Sequence, residues 1–337
     1  RLNDRAIVGK KEILDLMNSS SEALLIFLLK EFFLKQTSFR SLERSYNLNN
    51  ENNIVYAFFR NADTKKLIQS FKENKNPNAD EIELYYFLFL AEENSDDNIA
   101  VNFENAYKIF RDLKSRMTKP VLKHCFIWLQ NIIKLNLKPD DLQMQRKLFE
   151  LIKEGLRERW QSEINGKIHH VEFSNFIIAA INVQETEWAD DFLESKKDEL
   201  DENIKDDFYY FYKARILFEF GRYSESLELL SKIRKESLQF KTDIKILRLL
   251  NFYELNYIET AYSQTEAFRQ YLIRTDIISD NRHELISNFL KFYVMLLKIK
   301  SGDEKDVSNC VYEIKNCAKV RNKNWLLKKA EELEKNN

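Results

Sequence analysis

Apolar positions along the 337 residues of this chain recur at helical spacing, and short polar stretches interrupt the period. Interruptions fall at Asn47–Asn53, at Glu73–Asp80 around Pro77, at Asn94–Asn98, Thr118–Pro120, Asn136–Asp140 and Ser162–Lys167. The segments between them, roughly 13 to 21 residues each, have the length of ordinary globular helices. Ser19 and Glu22 have the spacing of a capping box ahead of the apolar run Ala23–Leu29, which predicts a helix from about residue 20 to residue 35. Ala106, Ile109 and Phe110 read as the second helix of a hairpin, so the first half alternates helices as the second does.

The second half repeats one figure three times. In the middle copy, Tyr210–Ile233, Ala214 and Leu217 lie on a first helix, Gly221 at a turn, and Tyr223, Ser226, Leu227 and Leu230 on a second. Tyr223, Leu227, Leu230 and Ile233 make one apolar stripe. On the first helix Ile204, Phe208, Phe211, Leu217 and Phe220 are too many large apolar groups for one neighbour, so both of its faces must pack. The next copy puts Asn256 in place of Gly221 and Ala261 in place of Ser226; the previous copy puts Ala189 there. These residues are small because paired helices approach closely near the turn, where a large side chain would overpack by about 1–3 kcal/mol.

This figure resembles a tetratricopeptide repeat, whose period is about 34 residues; Asn256 follows Gly221 by 35. The phrase Glu187-Trp188-Ala189 with Phe192, and the Gly221-Arg222-Tyr223 turn, are similar to uncharacterised bacterial helical-repeat proteins. Lys245 replaces the family's early aromatic residue, Tyr210 in the middle copy, and no copy closes on proline. The resemblance implies an all-α, right-handed α-solenoid of stacked antiparallel hairpins: degenerate repeats over 1–165, the recognisable repeats over 168–275, and capping helices over 276–337. It also implies a non-catalytic scaffold or adaptor that binds a protein or peptide on the concave face lined by the first helices. Mapped onto this chain, that face takes Ser174, Ile178 and Asn182, then Phe211, Arg215, Phe218 and Glu219, then Ile246, Leu250 and Tyr253. Arg215 between Phe211 and Phe218 is the leading contact, since an arginine beside aromatic rings holds a carboxylate and an apolar group together.

Composition narrows the alternatives. Five glycines and three prolines are too few for many strands and turns, while 25 phenylalanines and 15 tyrosines exclude a disordered chain. With 53 basic and 54 acidic side chains there is no general field toward nucleic acid or anionic lipid. The basic string Lys315, Lys319, Arg321, Lys323, Lys328 and Lys329 reads as a solvated face on closing helices. Ala23–Leu34 is too short and too charged to span a bilayer. Cys125, Cys310 and Cys317 imply no disulfide framework and read as small buried hydrophobes, and the cytoplasm is the expected compartment. The chain starts at Arg1, not methionine, which leaves room for a longer protein of which it is a signalling or DNA-binding protein's regulatory part.

Chemistry has one candidate string. Asp190, Asp191 and Glu194 match the spacing with which all-helical isoprenoid synthases hold magnesium diphosphate, and carboxylates so placed can share a hard cation. Asp pairs also occur at 96–97, 140–141 and 206–207, and no second motif accompanies this one, so a solvated helix face is the preferred reading. His283 lacks the second histidine of a zinc motif, His169 and His170 diverge on a helix, and no glycine-rich phosphate loop or nucleophile elbow is present. No catalytic residue, metal or cofactor is therefore predicted.

Overall fold

A computed structural model describes residues 2–46, 54–93, 98–136, 141–161, 163–164, 167–234, 238–275, 278–303 and 306–336. The chain divides into two compact units, Arg1–Asn136 and Leu137–Asn337. Apart from one two-stranded ladder, the regular structure among the described residues is helical, and consecutive helices pack on each other.

The first unit holds α1 (Leu2–Tyr46), α2 (Ile54–Asn61), α3 (Thr64–Glu73), α4 (Ala79–Glu93), α5 (Ile99–Leu113) and α6 (Lys119–Asn136). Helix α4 is apolar on most of its circumference, with Ile82, Leu84, Tyr85, Leu88 and Ala91 fully buried, and it packs against α1, α3, α5 and α6. Polar groups thread the same core. Lys30 of α1 bridges to Glu81 at 2.9 Å, and Glu81 accepts from the Tyr85 hydroxyl at 2.7 Å. The Tyr85 ring stacks on Trp128 of α6 at 6.4 Å, and the Trp128 indole donates to the buried Glu92 at 2.9 Å. One line of contacts thus ties α1, α4 and α6 together.

The expected helix start at Ser19 is not found, because α1 runs through it. The Ser20 hydroxyl donates back to the Met17 carbonyl at 3.0 Å, so it satisfies a turn already formed and caps nothing. The interruption near Pro77 is the turn between α3 and α4, and Pro120 sits in the first turn of α6, where its missing N–H is harmless. Residues 47–53, 94–97, 137–140, 162 and 165–166 of the other expected interruptions lie outside the described residues.

The second unit begins with α7 (Leu142–Arg157) and the antiparallel pair β1 (Glu163–Ile164) and β2 (Lys167–Ile168). Three helix pairs follow: α8 (His170–Asn182) with α9 (Thr186–Lys196), α10 (Lys205–Glu219) with α11 (Tyr223–Lys232), and α12 (Leu238–Glu254) with α13 (Ile258–Arg274). Then come α14 (Asp280–Ser301), α15 (Val307–Asn316) and α16 (Lys323–Asn336). Each of the three pairs turns at a left-handed residue: Gln184 (φ 65°), Gly221 (φ 75°) and Asn256 (φ 59°). In each, that residue's N–H returns to the carbonyl three residues back, and the next N–H to the carbonyl five back. These are the paired bonds of a Schellman closure, which satisfies the last carbonyls of the first helix.

The second helix starts two residues after the left-handed one in all three copies, and the small residue lies five after it. Ala189, Ser226 and Ala261 are all fully buried. Ser226 does more than leave room. Its hydroxyl donates to the Ala214 carbonyl of α10 at 2.8 Å and accepts from the Asn251 amide of α12 at 2.9 Å, which joins three successive helices.

A β-carbon at Gly221 would meet no closer atom than the Tyr223 hydroxyl at 4.0 Å, so a substitution there acts through the backbone alone. Gly221→Ala is expected to destabilise the chain by about 1–2 kcal/mol, and Gln184→Gly to stabilise it by up to about 1 kcal/mol. Urea unfolding followed by circular dichroism checks both; equal midpoints would show that the turns carry no strain.

Candidate functional site

The first helices of the three pairs touch one another as well as their own partners: α10 packs against α8 and α12 in addition to α9 and α11. On α8, Ile178 and Asn182 lie one turn apart and are exposed. On α10, Arg215 and Glu219 lie one turn apart and form an ion pair at 2.7 Å, and the guanidinium stands 5.7 Å from the centre of the Phe218 ring. Both side chains keep about a quarter of their surface in water, 26% and 29%. These four are the open part of the mapped face.

The remainder of that face is core. Ser174, Phe211, Phe218, Ile246, Leu250 and Tyr253 are all buried. The Ser174 hydroxyl turns back to the His170 carbonyl at 2.8 Å, Phe211 packs edge-on to Tyr212 at 5.0 Å, and Phe218 meets Tyr223 at 5.3 Å. A helix covered on both sides has few positions left for a partner, and here the second cover comes in part from the chain's own end.

That cover is α16. Trp325 sits edge-on to Tyr253 at 5.1 Å and stacks on Tyr293 at 6.2 Å. Its indole donates to Glu254 at 2.9 Å, and the other Glu254 oxygen takes Lys329 at 3.0 Å, both side chains only 11% exposed. Lys300 donates to the Tyr253 carbonyl at 2.6 Å with its ammonium 4.1 Å from the Tyr253 ring centre, and burial pushes its pKa down. Farther along α12, Asp243 receives Arg321 at 3.2 Å and Arg282 at 3.3 Å. Glu254, Lys300 and Trp325 were not singled out by the sequence, and Lys329 was read there as part of a solvated face, because their partners stand far away in the chain.

The same region accounts for most of the basic string. Lys319 pairs with Glu284 at 2.7 Å and Lys315 with Glu331 at 3.5 Å. Lys323 donates to the Lys315 and Cys317 carbonyls at 2.8 and 2.9 Å, at the negative end of α15. Cys125 and Cys310 are buried as expected, but Cys317 is only half-buried, because it stands past the last turn of α15 and not inside it.

The acidic string has a resident cation. Lys213 of α10 reaches Asp190 at 2.5 Å and Glu194 at 2.8 Å, both on α9. Glu194 also takes Lys197 and the Tyr209 hydroxyl, each at 2.8 Å. Asp191 is exposed beside them. Burial raises the Glu194 pKa, but the bonds from Lys197, Lys213 and Tyr209 outweigh it and bring the value to about 2. The cluster therefore ties α9 to α10. Among the described residues no group of three or more His, Cys, Asp or Glu side chains is placed to hold a metal ion. His169 and His170 stack at 4.6 Å, and His169 Nδ1 accepts from the Val171 N–H at 3.4 Å as the cap of α8.

No protein-family model matches the chain, and no curated protein or solved structure matches it either. No helix among the described residues is long and apolar enough to cross a membrane.

A carboxylate whose pKa falls on folding stabilises above its unfolded value and loses that contribution as pH drops through the folded one. Glu194 should therefore contribute stability that fades between its ordinary value of 4.5 and about 2. Glu194→Gln is expected to flatten that part of the acid unfolding curve, and a variant curve parallel to wild type would remove Glu194 from the account. With Lys213 between the carboxylates, millimolar magnesium is expected to leave the melting temperature unchanged. A magnesium-dependent rise that Asp190→Asn abolishes would instead restore the metal reading.

Proposed function

We propose that this chain is a non-catalytic scaffold that binds a protein or peptide through a tetratricopeptide-like, right-handed superhelix. In this reading the three helix pairs between residues 168 and 275 are the repeats, and the helices after 276 close the array. The observation that carries it is the layer formed by α8, α10 and α12, in which first helices touch first helices while each also packs its own partner. Stacked repeats bury their surface through such neighbour contacts and need an atypical end unit. Trp325 and Lys329 of α16, set against α12 and α14, supply that end.

The binding face is then the part of this layer that α16 leaves open: Ile178, Asn182, Arg215 and Glu219. The Arg215–Glu219 pair is partly exposed and one turn apart on a helix, an arrangement worth only about 0.3–0.5 kcal/mol. A carboxylate on the partner can displace Glu219 at little cost, while Ile178, 43% exposed, offers an apolar contact on the neighbouring helix. Aspartate or glutamate next to a branched apolar side chain is the ligand pattern that such a surface recognises.

Arg215→Glu is expected to abolish capture of the partner from lysate, with helicity unchanged by circular dichroism. Arg222→Glu, on an exposed turn and paired with its neighbour Glu225, should leave capture intact. Equal loss in both variants, or in neither, would remove Arg215 from the site.

A further inference from the structure

Helix α1 carries its own unpartnered surface. Every residue from Lys10 to Leu24 is exposed, and from Lys10 onward the first buried side chains are Leu29, Phe32 and Phe33, where the helix packs on α4. Ile13, Leu14, Met17, Leu24, Phe27 and Leu28 are each between 48% and 61% exposed. At 3.6 residues per turn, all six fall within about 70° of one line along the helix. Glu22, Leu29, Lys30 and Phe33 fall on the opposite side, and these are the ones engaged by the chain itself: Glu22 by Asn76, Lys30 by Glu81, Leu29 and Phe33 by burial. The stripe therefore faces away from the unit.

Its area and its symmetry indicate what covers it. Six large side chains so exposed present about 700 Å² of apolar surface, more than the largest patch of a typical monomer and close to the roughly 800 Å² per partner of a stable interface. The positions of the stripe are also symmetric about the Ser20–Ser21 bond. Reversing a second copy of α1 over the first sets Ile13 against Leu28, Leu14 against Phe27 and Met17 against Leu24. Small Ser20 and Ser21 face each other at the centre, where two helices come closest, and Lys10 faces Glu31 at each end. We propose that two copies of this chain associate through an antiparallel pairing of α1 centred on Ser20 and Ser21.

Every apolar position of the stripe then meets an apolar one, and both outer positions meet opposite charge. Such a two-fold contact is closed, so it gives a dimer and not a filament. In proteins most helical stability comes from packing of an apolar face, and the pairing supplies residues 10–28 with the packing that their own unit does not.

Sedimentation equilibrium of the full chain tests this. Wild type is expected to be a dimer and Met17→Glu a monomer of unchanged helicity, since the substitution removes two central contacts from an exposed surface. Lys10→Glu and Glu31→Lys alone should each weaken association by about three- to five-fold, the effect of two exposed ion pairs, and the double variant should regain wild-type affinity. A monomeric wild type overturns the proposal, whatever else binds the stripe. A dimer indifferent to Met17→Glu overturns the interface, and failure of the double variant to recover overturns the antiparallel register.

Discussion

The second unit depends on how its helices end. A helix leaves four carbonyls without partners at its C-terminus, and in three successive pairs two of these are taken up by the same two backbone N–H groups around one left-handed residue. The same closure appears at Lys75, Arg159 and Gly302. Because Gln184, Gly221 and Asn256 each release the next helix after two residues, the rotation between paired helices is set locally. The position of closest approach then falls on Ala189, Ser226 and Ala261 without any instruction from distant sequence.

This separates what was legible in the sequence from what was not. Gly221 announces a left-handed turn, and Asn256 tolerates one, so two closures could be read and a third aligned through Ala189. Lys75 and Arg159 adopt the same conformation with side chains that carry no such signal; only the completed pair of hydrogen bonds makes it worthwhile. Local rules also misplaced a cap at Ser19, where the residues before it extend the helix instead. The mapped face suffered from a different limit. A helical period tells which positions share a face, but Phe211, Phe218, Ile246 and Tyr253 share it with the core, and Tyr253 is covered by a tryptophan that follows 72 residues later.

Charged strings proved to be couplings between helices. The carboxylates of α9 meet Lys213, Glu254 of α12 meets Lys329, and Asp243 is held by two arginines from different elements. Read alone, one partner of each pair looks like a ligand in search of a cation. Ser226 and Asn251 show the neutral form of the same device, in which side-chain hydrogen bonds fix the register of three helices that apolar packing alone would leave free to slide.

The arrangement of the last helix has a consequence for the order in which the protein is made. Most contacts in the second unit join helices that are neighbours in sequence, so each pair can consolidate soon after it leaves the ribosome, at little loss of chain entropy. Tyr253, Glu254 and Tyr293 are exceptions, because Trp325 and Lys329 are synthesised long after them. During that interval the nascent chain presents an aromatic edge with a carboxylate at its centre, and this edge stays open to chaperones or to misassembly until α16 closes it.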